Sequence, residues 1–588
     1  MKNLPERTVV FVGGGLAAAF AARQLARAGI DTLVLERGGE PGAGAESRIP
    51  SQRDELRWAV RGGLVQDPAA ETYTLRRSRT EPARPMRRLA AFLPGTGAGG
   101  AGNHWNGESH RWRGYNLALR SRLLDRYGRG AIPADMPLQD WGVAHAELEP
   151  YYDLFERLFG VSGRAGNLRG RVQPGGNPFE DPREHEYPQP PLESTEAGLI
   201  FQAAARERGY HPYPMPAANS SGTYVNPDGM ALGACQYCGH CARYLCEASA
   251  KGTPGTLLYP WLRNQPCFEL RPHAHVLALE PDAAAGRVRA VRYLDLLTGE
   301  ECRQPAAVVV LSAFTFTTVR LLLSAGIGRA YDPAAGTGTL GRNLCLQTTS
   351  GLSLFYRDRW INPFLAAGAA GTLIDEFTDD NFDHAGLGFL GGGSMGVGLS
   401  SGAPIQARRL PPGTPRWGTA WKQAAADWYN HSFGLGVQGS CYPHRENFLD
   451  LDPDYTDAFG QPLLRLTFDF RDNELRMSAY CTARAAEIAR AMGATHVGPA
   501  APRGRPFDVR QYVGTHVTGG TIMGADPATS VVSPRLQHWD AENLFVASSS
   551  VFAHNAGLNP SELLGALALR LGDDLVRYVA RPGRLPAG

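Results

Sequence analysis

The feature that most constrains this chain is a glycine-rich turn close to its start. The β-branched and aromatic run Thr8 to Val12 leads straight into Gly13-Gly14-Gly15-Leu16-Ala17-Ala18, and the Ala-rich segment that follows is closed by Gly29. A second apolar run, Thr32 to Leu35, ends in Glu36. This order predicts strand, tight turn, helix, strand and terminal acid, the context that a dinucleotide fingerprint requires. We therefore expect a Rossmann-type domain at this end of the chain.

Each fingerprint residue has an expected role toward a bound dinucleotide. Gly13 permits the tight turn, and Gly15 lets the pyrophosphate approach the helix N-terminus, where free N–H groups favour negative charge. Ala18 completes the motif with a small side chain that lets the helix pack closely on the sheet. Glu36 is expected to bind the adenosine ribose hydroxyls, which argues against NADP. The fingerprint alone does not separate FAD from NAD.

Length and composition limit the remaining possibilities. A chain of 588 residues is too long for one ordinary core, so two or three packed regions are expected. Lys and Arg number 59 against 57 Asp and Glu, and no dense basic run interleaves with aromatics, so nucleic acid is not an expected partner. We find neither an apolar run of about 20 residues nor a signal-peptide pattern. We therefore expect no direct membrane span and a cytoplasmic chain, periplasmic only if a partner exports it.

Three further segments carry a family resemblance. Residues 95–107 form a glycine-rich loop that contains His104-Trp105, and Ser312 to Gly328 has the pattern of a strand end followed by a helix. Residues 516–524, His-Val-Thr-Gly-Gly-Thr-Ile-Met-Gly, are followed later by Asn559-Pro560. In this order the segments resemble the glucose–methanol–choline (GMC) oxidoreductases, which are FAD enzymes that oxidise alcohols. With the Cys-containing segment Ala234 to Lys251, they look most similar to the flavoprotein subunits of bacterial gluconate 2-dehydrogenase and related sugar dehydrogenases.

The resemblance implies an interleaved α/β fold with an α+β substrate part. Residues 1–110, 259–342 and 507–588 are expected to form the FAD-binding domain, and residues 343–506 a substrate-binding domain built on an antiparallel sheet. Residues 111–258 are expected to be an insertion that contains the Cys-rich segment 235–246. The chain departs from the family pattern at Phe314, where a Gly is common, and at Ser548, where many members have an Asp near the flavin pyrophosphate.

The same resemblance assigns the catalytic pair. His516 is expected to be the base that takes the substrate's hydroxyl proton, a task that suits imidazole because its ordinary pKa is about 6.5. Asn559 is expected to orient the same oxygen, although it could instead serve only as the N-cap of the helix that starts near Pro560. The positive end of that helix would stabilise the anionic reduced flavin. Further cofactor contacts are expected from Gly99, Gly100, Asn103, His104, Ser548 and Pro560.

His104 has two interpretations. By resemblance it occupies the position at which a histidine forms a covalent bond to the isoalloxazine methyl group of FAD. Alternatively, it packs near the flavin ring without a bond. Attachment would suit a dehydrogenase that passes electrons onward, because it generally raises the flavin potential.

Four cysteines form a second chemical motif. Cys235, Cys238, Cys241 and Cys246 make C-x2-C-x2-C-x4-C, a spacing at which thiolates can converge on one centre. The resemblance favours an iron–sulfur cluster that moves electrons from the flavin to an outside acceptor. Zinc and unligated thiols are the alternatives.

Together these observations predict an FAD-dependent enzyme that oxidises a primary or secondary alcohol of a sugar, sugar acid or related polyol. Hydride passes to flavin N5, and an electron-transfer subunit is the expected partner. Two alternative activities are an O₂-using sugar or glycoside oxidase of the same fold and a biosynthetic alcohol dehydrogenase that acts on a pseudosugar. A third is a non-catalytic flavin-binding protein, which the pair His516 and Asn559 disfavours.

Overall fold

The fingerprint strand lies inside an eight-stranded sheet. The computed structural model describes residues 1–40, 67, 72–86, 92–242, 244–363, 365–398, 409–512 and 514–586. The parallel part of the sheet is buried on both faces, which explains why its strands are continuous apolar runs. In spatial order these parallel strands are Phe268–Arg271, Thr32–Leu35, Arg7–Val12, Glu301–Leu311 and Leu544–Val546. The antiparallel strands Arg287–Asp295 and Ala274–Asp282 extend the sheet, and Lys2–Asn3 pairs with Glu301–Leu311.

The first helix, Leu16–Arg27, packs against the sheet and against the last helix, Ser561–Ala580. Its alanines are buried, as expected for a helix that approaches its neighbours closely. The last helix also approaches His145–Phe159, since a Cβ on Gly565 would lie 2.3 Å from the Phe155 ring. Small side chains at these contacts thus bring the N-termini of the first and last helices to the same side of the sheet.

A six-stranded antiparallel sheet forms the second layer. One face is apolar and packs against the helices Asp472–Ala491 and Glu196–Glu207. The other face is rich in glycine and lines a groove. In spatial order the strands are His496–Val497, Thr348–Phe355, Ser432–Gly439, Gly393–Gly398, Gly371–Ile374 and Tyr213–Pro214. This arrangement confirms the predicted fold class, an α/β chain with a Rossmann-type domain and an antiparallel substrate part.

Smaller sheets connect segments that are distant in sequence. Tyr73–Arg76 and Arg84–Pro85 join Phe448–Thr456 and Pro462–Thr467 in a four-stranded sheet. Residues from the 1–110 range therefore pair with residues from the 343–506 range, and the predicted domain boundaries stay a prediction. Three two-stranded sheets pair Tyr224–Val225 with Ala231–Leu232, Cys345–Leu346 with Val517–Thr518, and Asn167–Leu168 with Arg171–Val172.

The remaining helices connect these layers. None of the described helices is both long and apolar enough to span a bilayer. The α-helices not yet given are Ala101–His104, Gly114–Leu117, Leu119–Tyr127, Tyr259–Leu262, Thr315–Ala325 and Gly418–Trp428. The short turns of other helix types are Arg129–Ala131, Pro254–Leu258 and Ser549–Val551.

A buried ion cluster ties the 111–258 range to the last helix. Arg111 donates to both oxygens of Glu156, at 2.7 and 2.9 Å, and Arg183 contacts the same carboxylate. Burial strongly opposes a second negative charge here, so the pKa of Glu562, in the first turn of Ser561–Ala580, is raised well above its ordinary value. Ser109 Oγ donates to Glu562 at 2.7 Å. The helix start is thus fixed by polar contacts as well as by packing.

Candidate active site

One cavity of about 510 Å³ joins the fingerprint to the predicted catalytic residues. It is large enough for a cofactor-sized ligand. Residues that were predicted from separate segments meet in its wall. Those lining it are Gly13, Gly15, Glu36, Gly100, His104, His516, Ser548, Asn559 and Pro560.

The turn after the first long strand fits a bound pyrophosphate. Gly13 has a φ of +96°, and a Cβ there would lie 2.7 Å from the Ala313 Cα, so only glycine fits. A Cβ on Gly15 would meet only the Ser312 carbonyl oxygen, at 3.7 Å, which leaves this position open toward the cavity. The helix N-terminus behind Gly15 supplies unpaired N–H groups and the positive end of the helix dipole.

Glu36 organises the turn as well as facing the cavity. Its Oε2 accepts a hydrogen bond from Gly14 N at 2.8 Å, and its Oε1 accepts from Gly38 N at 2.9 Å and Gly97 N at 3.0 Å. A carboxylate offers about four acceptor sites, so these three bonds leave capacity for a ribose hydroxyl. The residues at this end of the cavity therefore fit the adenosine half of FAD.

The glycine-rich loop lies directly on the fingerprint turn. Gly99 N donates to Gly14 O at 2.6 Å, and a Cβ on Gly100 would lie 3.2 Å from the Gly15 Cα. Asn103 fastens the loop, because its Nδ2 donates to Ala98 O at 2.7 Å and its Oδ1 accepts from Gly255 N at 3.2 Å. Gly99, Asn103 and Ala18 lie behind the cavity lining rather than in it.

The strand pairing next to the cavity places a glutamine against His516. Cys345–Leu346 pairs antiparallel with Val517–Thr518, with Leu346 opposite Val517. The next position in this register sets Gln347 opposite His516, and Gln347 Oε1 lies 2.6 Å from His516 Nδ1. Gln347 Nε2 donates to the carbonyls of Ala556 and Leu558, both at 3.4 Å, which fixes the orientation of the amide. His516 Nδ1 must therefore carry the proton, and Nε2 is left as the basic nitrogen.

Burial keeps His516 neutral. It lowers the pKa of the imidazole to about 4, although the nearby Glu108 carboxylate opposes this shift. Asn555 Nδ2 donates to the His516 carbonyl at 3.0 Å and holds the backbone. A neutral, oriented imidazole in the wall of a cofactor cavity is suited to accept a proton from a bound alcohol.

Asn559 is not used as a helix cap. The last helix begins at Ser561 with Pro560 as its N-cap residue, and the cap makes no side-chain hydrogen bond. Among the described residues, Asn559 Oδ1 is buried with no hydrogen-bond partner, while its carbonyl accepts from Trp112 Nε1 at 3.0 Å. The alternative that Asn559 is only an N-cap is therefore wrong, and its side chain is available to a ligand.

The other histidines and Ser548 occupy distinct positions. His104 ends the helix Ala101–His104 and is buried in the cavity wall. His554 does not line the cavity, and its Nδ1 accepts from Trp141 Nε1 at 3.3 Å. Burial lowers the pKa of His554 to about 3. Ser548 lines the cavity and caps a short turn by accepting from Ser550 N at 3.3 Å.

A polar wall that the sequence did not reveal borders the same cavity as His516. Asn106, Glu108 and Gln438 line both the cofactor cavity and a neighbouring groove of about 680 Å³. Glu108 Oε1 accepts from Gln438 Nε2 at 2.8 Å and lies 2.9 Å from His110 Nε2. Glu108 lies only four residues beyond His104 and directly follows the glycine-rich loop, so its position in the sequence was a signal. No sequence signal pointed to Gln347, because its contact with His516 depends on a long-range strand pairing.

The cysteine segment lies against the cofactor cavity. Ala242 lines the cavity, and Cys241 Sγ accepts from Gly368 N at 3.0 Å. Lys251 Nζ donates to the carbonyls of Trp105, Cys241 and Tyr244 at 2.8 to 2.9 Å. In the part of the chain that the structure describes, no group of three or more His, Cys, Asp or Glu side chains is arranged to hold a metal ion.

Comparisons with known proteins identify the family of this chain. Residues 443–568 match the model of the GMC oxidoreductase family, and residues 12–63 match that of an NAD(P)-binding Rossmann-like domain. The chain is 42% identical to a gluconate 2-dehydrogenase flavoprotein of Pantoea cypripedii, over 99% of this chain and 96% of the relative. It is 26% identical to the fructose dehydrogenase large subunit of Gluconobacter japonicus, over 97% of both chains.

A solved structure supports the fold independently. Formate oxidase of Aspergillus oryzae superposes with a TM-score of 0.59 over 98% of this chain and 99% of that chain, at 16% sequence identity. The predicted family, fold and FAD-dependent enzyme class are thus confirmed. The chain belongs to the GMC oxidoreductases and is an FAD-dependent alcohol oxidoreductase.

Proposed function

We propose that this protein oxidises an alcohol carbon of a sugar, sugar acid or related polyol, with His516 as the base and Asn559 as the group that orients the substrate oxygen. The observation that carries the proposal is the fixed tautomer of His516. Its Nδ1–H donates to Gln347 at 2.6 Å, so the unprotonated Nε2 is held in the wall of a cavity that the uncommitted Asn559 side chain also lines.

The chain's own groups divide the chemistry as follows. His516 Nε2 accepts the hydroxyl proton, and Asn559 hydrogen-bonds the same oxygen and holds the carbinol carbon in position. Bound FAD would supply the acceptor, its N5 atom, for the hydride that leaves this carbon. The N-terminus of Ser561–Ala580 places a positive helix end at the cavity, where it stabilises developing negative charge.

A polar groove next to the cavity supports a polyhydroxylated substrate. Its floor is one face of the six-stranded sheet, where Gly351, Gly436 and Gly396 lie in a cross-strand row. Gln438 lies in the neighbouring row, so the cofactor side of this floor is polar. At the other side Arg409 lies over Gly434 and makes no ion pair with a described acid. Relatives that are a gluconate 2-dehydrogenase flavoprotein and a fructose dehydrogenase large subunit support the same substrate class.

A panel of sugars, sugar acids and polyols, mixed anaerobically with the purified flavoprotein, tests this proposal. We expect at least one member to bleach the flavin absorbance in a single turnover. His516→Ala should leave FAD bound and slow the bleaching by at least about 100-fold, the contribution of a general base. A chain that binds FAD but is bleached by no member of the panel would refute the proposed substrate class.

We further propose that Cys235, Cys238, Cys241 and Cys246 would hold an iron–sulfur cluster if the metal drew their sulfurs together. Such a cluster would supply a path for electrons from the flavin to an external acceptor. Three of the four sulfurs accept backbone N–H hydrogen bonds, from Tyr237 at 3.4 Å, Gly368 at 3.0 Å and Ala250 at 3.3 Å. Such bonds tune cluster potentials. Burial raises the pKa of the Cys235 thiol to about 12 and also raises that of Cys241, so a metal would have to displace these protons.

Metal content after anaerobic purification tests the cluster. We expect iron and sulfide at about three or four per FAD, as the common cluster types require. Cys241→Ser should then abolish transfer to a one-electron dye while substrate still bleaches the flavin. Stoichiometric zinc without iron would identify the segment as a structural zinc site. Peroxide formation in air at the rate of turnover would instead support an oxidase.

A further inference from the structure

Glu108 is a buried carboxylate in the substrate wall that the proposed chemistry does not use. Among the described residues that line the cofactor cavity, only Glu36 and Glu108 carry carboxylates, and Glu36 is bound by three backbone amides of the fingerprint region. Glu108 is 5% exposed and also lines the adjoining groove. Its carboxylate therefore borders any ligand that occupies the junction of the cofactor cavity and the groove.

Hydrogen bonds fix the position of the Glu108 carboxylate but leave one of its acceptor sites unused. Oε1 is fully used, since it contacts His110 Nε2 at 2.9 Å and accepts from Gln438 Nε2 at 2.8 Å. Among the described residues, Oε2 accepts only from Asn106 Nδ2, at a long 3.3 Å. Since each carboxylate oxygen has two acceptor sites, Oε2 retains one for a ligand.

Glu108 is also held in its charged form. Burial alone would raise its pKa, but the hydrogen bond with His110 lowers the pKa below its ordinary value. An ionised carboxylate accepts hydrogen bonds and cannot donate one, so it binds hydroxyl or ammonium groups and repels a carboxylate.

Strand register connects Glu108 to the catalytic histidine. Gln438, which donates to Glu108, lies opposite Thr349 in the sheet. Thr349 is two residues beyond Gln347, which contacts His516, and both Thr349 and His516 line the cofactor cavity. Glu108 therefore borders the same volume as the base.

We propose that Glu108 determines substrate specificity by accepting a hydrogen bond from a hydroxyl that neighbours the reacting carbinol. The preferred substrates are then vicinal diols, such as those of sugars and polyols, while isolated alcohols bind poorly. This inference rests on the proposed function. A hydrogen bond to a charged group corresponds to a preference of roughly 10- to 100-fold in kcat/KM for the diol.

Paired substrates that differ by one hydroxyl test the inference. The pairs are ethylene glycol with ethanol, and the best polyol of the panel with its analogue that lacks the neighbouring hydroxyl. Anaerobic flavin reduction should favour each diol by about 10-fold or more in the wild-type enzyme. Glu108→Gln should reduce the preference to within about threefold, mainly by slowing the diol. The exposed Glu207, replaced by Gln, is the matched control and should keep the full preference.

The outcomes separate the two proposals. If polyols bleach the flavin but the wild type reduces it equally fast with both members of each pair, the specificity role of Glu108 is refuted and the proposed function stands. That role is equally refuted if Glu108→Gln slows both members alike. If Glu108→Gln does not fold or lacks FAD, the wild-type preference alone decides. If no polyol bleaches the flavin, the proposed function itself fails.

Discussion

Gln347→Leu should slow flavin reduction without removing FAD, because it deletes the group that fixes the tautomer of His516. The substitution removes the 2.6 Å hydrogen bond from Nδ1–H to Oε1 and leaves the Ala556 and Leu558 carbonyls without their donor. A net hydrogen bond contributes about 0.5–1.5 kcal/mol, which corresponds to roughly 2- to 12-fold in the population of the reactive tautomer. We therefore expect about a tenfold loss, smaller than that of His516→Ala.

The pH dependence distinguishes this role from a packing defect. Burial lowers the pKa of His516 to about 4, so the base form persists above that pH and the wild-type rate should fall only as the pH approaches 4. Gln347→Glu offers a charged acceptor to Nδ1–H, which raises the pKa of His516. The fall in rate at acid pH, the acid limb of the pH–rate profile, should therefore move to higher pH.

Stopped-flow flavin reduction from pH 4 to 8 measures both effects. Gln423→Leu, an exposed glutamine on the helix Gly418–Trp428, is the control and should match the wild type. A wild-type rate for Gln347→Leu, together with an unmoved limb for Gln347→Glu, would show that Gln347 does not orient the base.

Three further predictions address the cofactor, the groove and acid stability. Flavin should stay with the polypeptide after acid precipitation and be released in His104→Ala; release from the unmutated protein would leave His104 as a packing residue. Arg409→Ala should raise KM for a sugar acid by about tenfold and leave KM for the matching neutral polyol unchanged; equal changes would contradict an anion contact. Burial lowers the pKa of His554 to about 3 from an unfolded value of about 6.5, so the unfolded state binds more protons and stability should fall as the pH drops through this window. His554→Gln should flatten the fall in Tm, and an unchanged pH profile would contradict this.

The fold was predictable where its signals are local. The fingerprint strand, turn and helix depend on consecutive residues, and the structure places them at Arg7–Val12 and Leu16–Arg27. The departure at Phe314 is tolerated because its φ is −54°, which any L-residue adopts. Helix starts were less predictable, since the last helix begins at Ser561 and leaves Asn559 free for the cavity.

The substrate wall depends on contacts that sequence order does not reveal. Gln347 meets His516 only because Leu346 pairs with Val517, and a shift of one residue would turn the glutamine to the other face. One partner of Glu108 is Gln438, which lies on a strand more than 300 positions later. Such pairings follow from the register of assembled sheets, so the sequence predicted a base at His516 but not the groups that contact it in the cavity wall.

Anaerobic flavin reduction by a polyol, compared between the wild type and His516→Ala at equal FAD content, is the decisive experiment for alcohol oxidation at this site. We expect rapid bleaching by the wild type and at least about a 100-fold slower rate for the variant at neutral pH, because the variant lacks a proton acceptor at Nε2. Near-wild-type bleaching by His516→Ala with FAD fully bound would contradict the role of His516 as the base.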